Sequence, residues 1–413
     1  MIVTIPNKSE IEGPATLELP AGGAAPSRLV SVDAYRGWVM LLMMAEVLRL
    51  RDVAKALPES RLWAFLAQQQ SHVTWVGCVL HDMIQPSFSF LVGVALPLSL
   101  RRRSLSGQPL WQRTAHAAWR SLVLILLGVF LRSTHSTQTR WTFEDTLSQI
   151  GLGYLFLYLL SLCSRRAQWA ALISILVGYW LFFALYPLPG ADFDWAKIKG
   201  DPNSPSHLSG FAAHWNLNTN PAWAFDTWFL NLFPRQAPFT HNGGGYSTLN
   251  FIPTLATMIL GLLAGGVIVS DRSTRFKLIW LVSAGLIGLA SGLILDAAGL
   301  CPIVKKIWTP SWVLFSGGWC FLILAAWYAV VDVAKWQSWA FVFVVVGMNS
   351  IAAYLISHLW DDFIARALKT HLGESLFQIA GAAYQPLLLG AAVLTVEWLI
   401  LLWMYRRKIF LRV

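Results

Sequence analysis

The chain has 413 residues, of which 56% are hydrophobic and only 13% charged, with a mean hydropathy of +0.55. Soluble domains carry about 25% charged residues, so half that fraction over this length excludes a water-facing surface and with it a soluble enzyme. The 22 Trp, 23 Phe and 10 Tyr exclude a disordered chain, and one polytopic, all-α membrane domain is the expectation.

Residues 1–27 are polar and rich in Pro, Gly and Ala, with no apolar core and no cleavage-like site. They read as a flexible cytoplasmic tail rather than a signal peptide, and 28–413 as a single transmembrane domain. From Gly37 onward apolar segments recur near the bilayer-spanning length of about 20 residues. They fall at 37–54, 75–99, 118–135, 145–163, 167–187, 248–270, 278–298, 309–331, 339–359 and 383–405, which predicts about ten transmembrane helices. Glu46 and Arg49 interrupt the outer half of the first.

The net charge of +10 is informative through its placement. With the N-terminus inside, 18 of the 31 Lys and Arg fall on the inner side, including Arg36, Arg101–Arg103, Arg113, Arg120 and Arg406–Lys408. Cytoplasmic loops collect Lys and Arg, so the charge predicts cytoplasmic N- and C-termini and gives no support to a nucleic-acid partner. Eight of the nine histidines lie on or toward the outer half. One long outer connection, 188–247, holds Trp195, Trp215, Trp223, Trp228, three asparagines (Asn216, Asn218, Asn220) and a His241–Tyr246 glycine turn. A loop of that length is functional or mobile. Its aromatic content predicts that it folds back onto the membrane domain, either as an interfacial belt or as a platform that stacks on a sugar.

The four cysteines have no metal-ligand spacing, and a Cys78–Cys301 disulfide is geometrically open but unsupported by spacing. No phosphate-binding glycine loop or metalloprotease motif is present, so no metal is expected.

The densest polar constellation is His72-x-x-Trp75-x-Gly77-x4-Asp82-x3-Pro86-x-Phe88-x-Phe90-x-x-Gly93. His72 is expected at the outer membrane edge, and Asp82 ten residues later, about 15 Å further along a continuous helix. An ionisable group at that depth ordinarily faces a polar interior, which predicts a cavity running inward from His72. Pro86 would free a carbonyl one turn earlier. A wetted His72 and an Asp82 that merely caps a helix are equally compatible with the spacing. Arg120 and Arg36 near the inner face suit phosphate, or they set topology against anionic lipid, the reading favoured for Arg101–Arg103.

From Arg28 to Val413 the chain resembles the transmembrane heparan-α-glucosaminide N-acetyltransferase family and its bacterial relatives. The similarity rests on the His72–Gly93 block and on Arg28-Leu-Val-Ser31-Val-Asp33-Ala-Tyr-Arg36-Gly37. It continues through Trp119-Arg120-Ser121, Gly128, Pro187-Leu-Pro-Gly190, Gly261 with Gly265, Gly347-Met348-Asn349-Ser350 with Tyr354, and Tyr405–Phe410. The resemblance implies a transmembrane acyltransferase-type bundle that takes acetyl from cytosolic acetyl-CoA and delivers it to an extracytoplasmic sugar amine or hydroxyl. His72 would then be catalytic, as general base or as covalent acyl carrier, with Asp82 beside it. Asn349 is a candidate oxyanion donor or an interhelical hydrogen bond, and Arg36 and Arg120 would hold the donor phosphates.

Two departures bear on the acceptor. Where family members often place an Asn, this chain has Glu46, a potential polar partner of His72. After Tyr354 it reads Leu355-Ile-Ser357-His358. Without the leading helix and luminal domain of the animal enzymes, a bacterial inner-membrane protein acting on an envelope or imported sugar is expected. Its partners would be acyl-CoA, the acceptor and membrane lipid, with a homo-oligomer compatible. The competing readings are a lipid or glycan transporter without covalent chemistry, which would show a repeat of broken helices, and a catalytically silent scaffold.

Overall fold

In the computed structural model the described residues are 29–411, apart from positions 106, 191, 199, 202, 203 and 205 and the side chains at 102–105. The expected tail, Arg28 and the side chains of Arg102 and Arg103 lie outside them. Every regular element among the described residues is helical. The first group is α1 (Val30–Met44), α2 (Leu50–Ala56), α3 (Arg61–Gln69), α4 (Ile84–Leu105), α5 (Leu110–Ser133), α6 (Thr146–Ser161) and α7 (Arg165–Ala184). After the long connection, which carries α8 (Pro221–Phe229), follow α9 (Phe251–Ile268), α10 (Thr274–Ala297), α11 (Pro310–Trp327), α12 (Phe341–Met348), α13 (Ser350–Leu372) and α14 (Gln385–Arg406).

Among the described residues seven helices are long and apolar enough to cross a membrane, or eight if the bent pair of α12 and α13 counts as one span. The expected count of about ten is therefore not reached by this measure. Three expected spans fall short, each for a plain cause. The first expected span, 37–54, ends as an α-helix at Met44, and the chain turns through Arg49 with a left-handed φ of 49°. The segment at 145–163 forms α6, apolar but only 16 residues long. The expected span at 339–359 is broken at Asn349, where α12 and α13 meet at 71°.

Helices in lipid associate through close packing and small residues rather than through a hydrophobic drive. Two crossings show this. A Cβ on Gly261 of α9 would stand 1.9 Å from the Phe90 carbonyl oxygen of α4, and one on Gly93 2.0 Å from the Met258 oxygen. Likewise a Cβ on Gly37 of α1 would stand 1.7 Å from the Phe343 oxygen of α12, and one on Gly347 1.9 Å from the Asp33 oxygen. The spaced glycines of the sequence motifs are thus helix-crossing points, and they fix α1, α4, α9 and α12 around the interior.

The long connection folds back over the membrane domain. Trp215 is fully buried, and its carbonyl accepts from the Trp75 indole at 3.0 Å while its ring stacks on Phe183. Asn216, Asn218 and Asn220 are buried, and Asn220 caps α8 by accepting from Trp223 N at 3.0 Å. Trp228 is 60% exposed. The tryptophans therefore divide between packing and surface and do not form one continuous stacking platform.

Candidate functional site

The His72 block does not form one continuous helix. Residues 71–79 are irregular, Gly77 turns with a φ of 111°, and the helical chain begins only at Leu80. Asp82 accordingly sits at the N-terminal end of its span. Its Oδ2 accepts from Val79 N at 3.2 Å and from Val73 N at 3.4 Å, which folds the preceding segment back over the helix start. The expected 15 Å between His72 and Asp82 is replaced by contact: His72 Nδ1 lies 2.7 Å from Asp82 Oδ1. Pro86 is the third residue of α4, but the helical chain already begins at Leu80, so its missing N–H leaves a carbonyl of the Leu80–Met83 turn without its helical donor, as expected.

Asp82 is 1% exposed and the His72 side chain 41%. With Nδ1–H donating to the carboxylate, Nε2 carries the ring's lone pair. The His72 ring lies against that of His81, with centroids 4.7 Å apart. Glu46 Oε1 is 3.0 Å from His81 Nε2, so Glu46 partners His81 and bears on His72 through charge rather than contact.

A further residue completes the cluster. Lys305 Nζ lies 3.2 Å from Asp82 Oδ1 and 3.2 Å from His72 Nδ1, with its side chain 5% exposed. It is presented by the turn between α10 and α11. There Trp308 is buried with a left-handed φ of 49°, and Thr309 donates to the Pro302 carbonyl and caps α11. A bulky residue at positive φ is strained and persists only where the surroundings fix it. Here Tyr179 donates to Ile307 O at 3.1 Å, Asn250 to Lys306 O at 2.7 Å and Lys306 Nζ to Thr74 O at 2.9 Å. The hint of Lys305 in the sequence is a pair of lysines, Lys305 and Lys306, in an otherwise apolar turn.

A separate cavity of about 640 Å³ brings together Arg36, Arg120, Asp33, His116, Tyr154, Tyr354, Gly347, Met348, Phe410 and Leu411, among other residues. The predicted cavity running inward from His72 differs from it, since His72 is not among its lining residues. Arg120 Nη1 donates to Tyr154 OH at 3.3 Å and stacks over that ring at 4.6 Å, while its buried Nε finds no partner among the described residues. Arg36 Nη1 is 3.4 Å from Asp33 Oδ1. At the other end Tyr354 donates to both Asp145 oxygens, at 3.3 and 3.2 Å, and stacks on His358 with centroids 4.3 Å apart.

Asn349 is not with His72. It is fully buried at the break between α12 and α13, its Nδ2 donates to Ile409 O at 3.0 Å, and its Oδ1 accepts from Leu411 N at 3.2 Å. With both ends of the amide committed, it braces the segment after α14 against the cavity. It is not placed to donate to an oxyanion at His72.

All four cysteines are unpaired thiols, including Cys78 and Cys301. Among the described residues no three His, Cys, Asp or Glu side chains gather as a metal-holding group.

An all-helical bundle with membrane-length apolar helices, carrying a cation–carboxylate–imidazole cluster and an arginine-bearing cavity, defines an integral membrane protein. No protein-family model matches the chain. It is similar to heparan-alpha-glucosaminide N-acetyltransferase of Homo sapiens, at 25% identity over 444 residues covering 97% of this chain and 62% of that protein. It is also similar to the Mus musculus protein of the same name, at 23% identity over 434 residues covering 94% and 61%. The chain is thus a distant relative of these acetyltransferases and spans less than two thirds of their length.

Proposed function

We propose that the protein is a transmembrane acyltransferase that moves an acetyl group from acyl-CoA, bound from the cytoplasmic side, to an amine or hydroxyl of an extracytoplasmic sugar-like acceptor. The observation that carries this reading is the 2.7 Å His72–Asp82 contact, which fixes the imidazole tautomer and leaves Nε2 as the base. The acceptor nitrogen or oxygen attacks the thioester carbonyl as Nε2 takes its proton. The C–S bond then breaks, and the departing thiolate recovers that proton. In the covalent variant Nε2 itself attacks the carbonyl carbon and the C–S bond breaks to release the CoA thiolate; the acceptor then attacks the acyl-imidazole, the N–C bond breaks, and the acceptor's proton passes by way of Nε2 to the thiolate.

Arg36 and Arg120 suit the donor phosphates, because guanidinium pairs with phosphate through two hydrogen bonds, and the unpartnered Arg120 Nε offers a further donor. Placing this cavity on the cytoplasmic side and His72 on the outer side follows the bias of the basic residues, and puts the N- and C-termini in the cytoplasm of a bacterial inner-membrane protein.

Membranes carrying the protein, given labelled acetyl-CoA and a panel of amino-sugar acceptors, test the reading. Transfer by the parent chain and its loss in His72→Ala is the expected result. Equal transfer by His72→Ala sinks the role of His72. Detergent-solubilised protein that millimolar CoA and acetyl-CoA leave unstabilised against heat favours the silent scaffold.

A further inference from the structure

We propose that Lys305 is a positioning residue that holds His72 in its neutral, basic form by sharing the carboxylate oxygen to which the imidazole donates. Two donors converge on Asp82 Oδ1: His72 Nδ1 at 2.7 Å and Lys305 Nζ at 3.2 Å. The donors themselves are 3.2 Å apart. In an isolated Asp–His pair the carboxylate stabilises imidazolium, so the histidine gains a proton readily. Here the buried ammonium already neutralises that carboxylate, and a second cation on the ring would stand only 3.2 Å from the first.

The groups around His72 point the same way. His81 faces its ring, and Glu46 is turned to His81 rather than to His72. Lys306 is turned to the Thr74 carbonyl, while Cys78 is coupled to Asp82 and Lys305, and Tyr246 to Asp82. Burial, with Lys305 and His81 added, pushes His72 below the ordinary histidine range against the opposing pull of Asp82. Burial also lowers Lys305, and the Asp82 carboxylate opposes that shift.

The consequence for catalysis rests on the transfer reading above. A neutral Nε2 is available at neutral pH, and an acyl-imidazolium formed beside Lys305 would be a destabilised, readily discharged acyl donor. The electrostatic role itself does not depend on that reading, so it can be tested without an acyl donor.

Diethylpyrocarbonate modifies neutral imidazole, and mass spectrometry of the His72 peptide from full-length protein in nanodiscs gives its rate against pH. The parent midpoint is expected below about 6.5. In Lys305→Met it rises by about one unit or more, and Lys305→Arg restores the parent value. An unchanged midpoint in Lys305→Met, or an arginine variant that behaves like the methionine one, overturns the proposal. If Lys305→Met does not fold, Asp82→Asn is compared with Asp82→Asn/Lys305→Met. The single variant should titrate lower than the double, and equal midpoints overturn the role. Loss of acetyl transfer with these shifts intact removes the transferase reading alone.

Discussion

At the scale of single residues, the cluster turns on a shared oxygen. Asp82→Asn keeps the shape of the side chain but lets its amide offer a donor where two donors already point, so the imidazole loses its fixed tautomer. Transfer is expected to fall by about 10²-fold or more, in the range ascribed to a positioned base, as read from initial rates with labelled donor. The pH dependence has a definite sign. The neutral imidazole is the working form and its pKa is lowered, so the rate should hold level from neutral pH to below about 6.5 before falling. A fall already complete at pH 7 would contradict this. His72 and Asp82 were legible together because an apolar segment with two ionisable groups and two glycines is unusual. Their distance was not, because reading an unbroken helix from Trp75 missed the turn at Gly77. Lys305 was invisible for a different reason: its meaning comes from contact across 223 residues with Asp82.

Among the helices, two glycines make an internal comparison. Gly261→Ala would drive a Cβ to 1.9 Å from the backbone oxygen of Phe90, whereas Gly178→Ala on α7 meets nothing within 4 Å. The first is expected to destabilise by about 1–3 kcal/mol or more and the second to be neutral or mildly stabilising, as measured by thermal unfolding in detergent. Helix α8 offers a pH test. Asp226 is 2% exposed, and burial pushes its carboxyl up to about 6, against the hydrogen bond from Thr248 N. Unfolded, it ionises near 3.9, so between that value and about 6 the folded state binds more protons, and stability falls as pH rises through the window. Hydrogen exchange at 221–248 should therefore show looser protection above pH 6 than below it, with Asp226→Asn flattening the difference. Spans were legible here from hydropathy, as with α9, α10 and α14. The breaks at Arg49 and Asn349 were not, because each is a local backbone choice made by the packing of α14 and α12.

For the molecule as a whole, orientation is the open quantity that a native side chain can report. Cys163 is exposed in the connection between α6 and α7, beside Arg165 and Arg166 on the side that the basic bias assigns to the cytoplasm. A membrane-impermeant maleimide should leave it unlabelled in intact cells and label it after permeabilisation; labelling of intact cells would invert the topology. The general architecture followed from composition alone. The two centres within it, the arginine cavity and the imidazole cluster, did not follow, since each gathers side chains from distant helices.

The reach of Lys305 also sets an order of events during biogenesis. A nascent chain that has inserted α4 through α9 already holds His72 and Asp82 but lacks the turn before α11. A carboxylate buried without its cation is costly, so until that turn arrives the start of α4 must stay hydrated and the His72–Asp82 pair lacks its ammonium. The site therefore matures only with late membrane insertion, and an N-terminal half released early by a stalled ribosome would carry the histidine without the machinery that makes it a base.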